Sequence, residues 1–133
     1  MLFPAAVAAF ISVQAAPSAA EILQGLDLTS FRNSTGPSRA EGLRRPADWS
    51  FSNLTVEDDV ASLQRTGNRW RLGLKILRST PDGVVACFYD QALNSGSYRT
   101  QKALLIVRDD LGGYRVQDQD IVDPACLPNP GQG

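Results

Sequence analysis

Histidine is absent from this chain of 133 residues. That excludes a Ser-His-Asp triad, a Cys-His dyad and the common zinc hydrolase sites. Cysteine is nearly absent as well: Cys87 and Cys126 are the whole inventory, and two thiols without histidine fall short of the four ligands a structural zinc ion takes. The chain has no Gly-x-Ser-x-Gly elbow, no Ser-x-x-Lys and no Gly-x-x-x-x-Gly-Lys loop. No cofactor is expected. A general acid–base enzyme would have to rely on paired carboxylates or on a tuned Lys or Tyr. The net charge of −1 gives no reason to expect a nucleic-acid partner.

Charge is also missing from one end. No residue from Met1 to Ala20 is charged, and the first that is charged is Glu21. Leu2, Phe3, Val7, Phe10, Ile11 and Val13 lie in an apolar run followed by small residues. This is the pattern of a cleavable export leader, with sites at Val13-Gln14-Ala15 and Ser18-Ala19-Ala20. A spanning helix needs roughly 20 predominantly apolar residues, and Pro4, Ser12, Gln14, Pro17 and Ser18 interrupt this run. The expectation is a periplasmic or secreted protein with no stable membrane span once the leader is removed. In an oxidising compartment Cys87 and Cys126 would pair. Closing that loop stabilises a fold by roughly 4 kcal/mol in the chain-entropy model.

The parsing that follows is a leader over 1–20, a polar arm or loop over 21–48, a β-domain over 49–126 and a flexible tail over 127–133. In the arm, Glu21 to Leu26 suits a turn or two of helix ended by Gly25, and Asn33-Ser34-Thr35-Gly36-Pro37-Ser38 reads as loop. From Trp49 onward the hydrophobic period is two. Trp70, Leu72, Leu74 and Ile76 alternate with Arg69, Arg71, Gly73 and Lys75, giving an apolar and a basic face. Val84 to Tyr89 is apolar on both faces, as a central strand should be. Lys102 to Arg108 and Tyr114 to Val122 complete the pattern. Turn signals stand at Thr66-Gly67-Asn68, Ser79 to Gly83, Asn94 to Ser97 and Asp109 to Gly113. The expected fold is mainly β: one antiparallel meander of about six strands, as a curled sheet or small barrel, with α+β open if the arm near Glu21 is helical. Phe88, Leu105 and Tyr114 are expected beside the apolar face of Trp70 to Ile76.

Three clusters bear on function. Arg69, Arg71 and Lys75 form a basic stripe that can hold an anion, or that Asp118 and Asp120 can neutralise across the sheet. Arg32 and Arg39 flank a hydroxyl-rich loop suited to a carboxylate or phosphate, unless this segment is only a linker. Asp118, Asp120 and Asp123 offer oxygen ligands of the kind calcium takes, or a solvated acidic face. Glu57, Asp58 and Asp59 read as a solvated turn. Asn33-Ser34-Thr35 and Asn53-Leu54-Thr55 match the glycosylation pattern. Two functions remain open: a non-enzymatic exported module binding an anionic envelope component or a protein, and a small carboxylate-dependent enzyme acting on a cell-wall or sugar substrate.

Overall fold

The computed structural model describes residues 16–31, 42–65, 69–93 and 99–127. It holds six antiparallel strands in one open sheet: β1 (Phe51–Glu57), β2 (Val60–Arg65), β3 (Trp70–Ser79), β4 (Val84–Ala92), β5 (Arg99–Arg108) and β6 (Tyr114–Ile121). Sequence order and spatial order coincide. The meander is therefore as expected, and the sheet does not close into a barrel. Short turns account for the topology. Asp58 and Asp59 both take positive φ, 51° and 65°, as the two-residue turns that match strand twist require. Thr80 and Gly83 exchange backbone hydrogen bonds across the β3–β4 turn.

One helix, α1 (Ala19–Gly25), covers one face of the sheet. Ser18 caps it, its hydroxyl accepting from the Glu21 N–H at 3.1 Å, which satisfies one of the donors a helix start leaves open. Ile22 and Leu23 within α1, and Leu26 just after it, are fully buried. Leu63, Leu72, Leu74, Phe88, Leu104 and Ile106 form the matching sheet surface. Leu105 corrects the sequence reading. The alternation of β5 turns Leu104 and Ile106 toward α1, while Leu105 pairs with Asp118 on the other face.

The arm from Glu21 to Asp48 contributes more than a connection. Leu26 bridges Tyr114 in parallel, the Asp27 N–H donates to the Tyr114 carbonyl at 2.7 Å, and the Val116 N–H donates to the Ser30 hydroxyl at 2.8 Å. The outer edge of β6 is thereby covered at its start, from Tyr114 to Val116, which shortens the template for unwanted strand pairing. Arg45 locks the arm in place. Its guanidinium donates to the Gly25 carbonyl and pairs with Asp109 at 2.7 Å. Gly113 permits this, because a Cβ there would collide with the Gly25 carbonyl and the Arg45 guanidinium. At the opposite edge β1 is exposed over most of its length. A bulge lies between Ser52 and Thr55, with Asn53 at φ 57°, a common way of blunting a free edge.

Candidate functional site

The face of the sheet away from α1 has two parts. The first is a small apolar patch sealed by the C-terminal segment. Cys87 and Cys126 form a disulfide with a Cα–Cα distance of 5.5 Å, so the expected pairing is present. Cys87, Ala103 and Cys126 are buried together, with Leu77, Tyr89 and Ile121 against them. Arg78 pairs with Asp123, and the Gln101 amide donates to the Leu127 carbonyl. This cover explains why β4 is apolar on both faces: Val84, Ala86 and Phe88 belong to the core cluster, with the Phe31 ring 4.9 Å from that of Phe88, while Val85 and Cys87 lie on the tail side.

The second part is polar and is built by strand register. Gln64, Arg71, Gln91 and Arg99 occupy one row across β2, β3, β4 and β5. The next row is Ser62, Gly73, Tyr89 and Gln101, and Lys75 stands one row further, beside Cys87. Neighbouring strands lie roughly 4.8 Å apart, so Arg71 and Arg99 bracket Gln91 at about 10 Å. Gly73 shapes this surface. A Cβ there would stand 3.2 Å from Cδ2 of Tyr89 and 3.4 Å from its Cβ, so the tyrosine packs closely against the glycine from the neighbouring strand. Such cross-strand cover of a glycine by an aromatic compensates for the missing packing. Tyr89 remains partly exposed.

The expected basic stripe is thus partly reassembled. Arg71 and Lys75 share the face opposite Trp70. Arg69 precedes β3, exposed, with φ 50°, and its carbonyl accepts from the Leu93 N–H at 2.5 Å. Arg32 and Arg39, like the turn signals at 66–68 and 94–97 and the acceptor Asn33, lie outside the described residues. Asp118 and Asp120 lie on β6, three strands from Arg71, so cross-strand neutralisation of the stripe by those acids is not what the register gives. None of the ion pairs found among the described residues involves Arg69, Arg71, Lys75 or Arg99. Arg99, Gln91 and Tyr89 escaped the sequence reading. Gly73, alone in a regular strand, was the available signal, since an interior strand glycine marks a close approach.

The carboxylates are engaged locally. Asp118 accepts from the Asp120 N–H at 2.8 Å, and Asp123 holds Arg78. Among the described residues no group of three or more acidic or thiol side chains comes together as a metal site. Glu57, Asp58 and Asp59 are exposed at the β1–β2 turn, as expected. Asp90 is the acid that stands apart. It occupies the core face of β4 after Val84, Ala86 and Phe88, where its row neighbours are Leu72 and Thr100. Burial raises its pKa, against the opposing effects of the Trp70 indole hydrogen bond and the charge of Lys102.

Comparison with protein-family models, curated proteins and solved structures gives no match.

Proposed function

We propose that this chain is an exported, non-enzymatic binding module, and that its ligand is anionic and docks on the sheet face opposite α1. The observation that carries the reading is the row Gln64–Arg71–Gln91–Arg99. It sets the backbones of two arginines about 10 Å apart with a glutamine between them, and contains no carboxylate. Arginines that form no ion pair among the described residues are suited to two-pronged contacts with carboxylate or phosphate groups. Although the whole chain carries a net charge of −1, its cations are segregated enough to create a local positive field.

Export is supported by the uncharged first twenty residues and by the disulfide, which persists in oxidising compartments. Of the two leader sites, the one after Ala15 is consistent with the fold. Cleavage after Ala20 would remove the Ser18 cap, and with it Ala19 and Ala20, which pack against the core.

The test is a titration of the oxidised protein with three soluble or dispersed anions: a polyuronate, polyglutamate and anionic lipid vesicles. Binding should weaken steeply between about 0.1 M and about 1 M salt, as the screening length falls from about 10 Å to about 3 Å. The double substitution Arg71→Ala/Arg99→Ala should abolish it. Failure of all three probes to bind, or binding indifferent to salt and to that substitution, overturns the reading.

A further inference from the structure

Resting on that reading, we infer that the anionic ligand is an acidic polysaccharide, seated on the Tyr89 ring with its carboxylates held by Arg71 and Arg99. The geometry of Gly73 and Tyr89 is what distinguishes a sugar from other anions. The Cδ2 edge of the aromatic ring leans toward the side-chain-free position of Gly73, and the ring is flanked by Arg71 and Gln91 in the neighbouring row. A pyranose ring has an apolar C–H face and a rim of hydroxyls. The first packs on an aromatic surface that also keeps a polar tip in water. The second suits Gln91 and Gln64, because an amide offers both a donor and an acceptor where a hydroxyl is both.

The spacing of the two arginine backbones agrees. Arg71 and Arg99 are separated by two strand intervals, about 10 Å, which matches carboxylates on alternate sugar rings of an extended chain better than a single phosphate head group. The composition of the patch separates this ligand from a protein or a lipid surface. Protein interfaces concentrate buried aromatic and apolar anchors at their centre, and membrane binding adds apolar insertion to charge. Among the described residues, the exposed large apolar side chains at Leu54 and Val56 on β1, Leu111 in the β5–β6 turn and Val122 lie outside these rows; Leu127 alone adjoins them, through the bond from Gln101 to its carbonyl.

The decisive comparison uses polygalacturonate, its methyl ester and polyglutamate with the full oxidised protein. Polygalacturonate should bind at least about tenfold more tightly than either of the others, a difference of one decade in Kd. Tyr89→Leu should weaken polygalacturonate by a similar factor and leave polyglutamate unchanged, while Tyr89→Phe should retain binding. Circular dichroism establishes that each variant folds. If Tyr89→Leu does not fold, saturation transfer from the Tyr89 ring protons to sugar protons in the parent protein gives the same answer; its absence overturns the inference. Equal binding of polyglutamate and polygalacturonate, insensitive to Tyr89→Leu, removes the polysaccharide and leaves the anion-binding reading standing. Equal binding of the acid and its methyl ester overturns both readings, as does failure of all polymers to bind.

Discussion

The indole N–H of Trp70 donates to the carboxylate of Asp90 across the β3–β4 pair, on the face of the sheet that carries the core. Burial raises the Asp90 pKa and outweighs both this hydrogen bond and the charge of Lys102. The folded state therefore holds the proton more tightly than the unfolded chain, whose aspartates titrate near 3.9. The sign follows from linkage: this stabilising contribution is complete below the unfolded pKa and is lost as pH rises through the folded one. Asp90→Asn keeps an acceptor for Trp70 and removes the charge. Urea unfolding should show the variant more stable than the parent at pH 7, with the difference shrinking toward pH 4. An asparagine variant that is less stable at pH 7 would show that the carboxylate makes a favourable charge contact there.

Asp109 titrates with the opposite sign. Its burial raises the pKa, but the hydrogen bond from the Gly113 N–H, the pairing with Arg45 and the hydrogen bond from the Leu111 N–H overcome that, and the net shift is downward. Its contribution is present above the unfolded pKa and is lost as pH falls through the depressed folded value. Breaking a buried ion pair from one side typically costs 3–5 kcal/mol, so Asp109→Ala should destabilise by about 3 kcal/mol. The variant should also lose part of the parent's acid-induced destabilisation. Gly113→Ala is expected to be as severe, because it drives a methyl into the Arg45 guanidinium. Both are read from denaturant midpoints at fixed pH. A loss of less than about 0.5 kcal/mol would put Arg45 outside the set of structural contacts.

Neighbours on β5 provide a test of register. Leu104 is fully buried in the core cluster, whereas Leu105 is on the other face and only partly covered. Leu104→Ala should cost about 2–5 kcal/mol, as large-to-small changes in packed cores do. Leu105→Ala should cost clearly less. Equal losses would mean that the tail side packs as tightly as the helix side.

The same pair shows where sequence reading succeeded and where it stopped. Strands, turns and their order were legible because period-two patterning, Asp-Gly and Gly-Gly signals and short spacings each act locally. Which of Leu104 and Leu105 faces α1 depends on the pairing offset between β4 and β5 and on the irregularities between β5 and β6. Those are properties of two strands at once. The cysteines were readable as a pair because they had no other partner. Arg71 and Lys75 were placed on one face by alternation alone, but their association with Arg99, Gln91 and Tyr89 arises only from two strand pairings in register. Asp90 was readable in principle, as the one charge ending the apolar series Val84, Ala86, Phe88. The clamp of Arg45 on Asp109 joins residues far apart in sequence and left no local trace beyond Gly113.

The disulfide gives the last prediction. Cys87 and Cys126 are 39 residues apart, and in the chain-entropy model closing a loop of this length stabilises the fold by about 4 kcal/mol. Cys87→Ser/Cys126→Ser should lower stability by roughly that amount. Intact-mass analysis of the unreduced parent should find no alkylatable thiol; two alkylated cysteines would rule out the bond. The ion pair between Arg78 and Asp123 anchors the same segment, but the Arg78 side chain is 51% exposed, and pairs of that kind contribute about 0–1 kcal/mol. With the disulfide intact, Arg78→Met should therefore change stability little. Without it, Arg78, Gln101 and the apolar contact with Ala103 and Ile121 hold the segment on the sheet. The two perturbations share one element, so their effects should not add. In the serine background Arg78→Met should accelerate amide exchange at Ala125 and Cys126→Ser, the positions whose N–H groups bond within the tail turn. Exchange there unchanged by Arg78→Met would show that apolar contact with the sheet, and not the ion pair, keeps the tail in place.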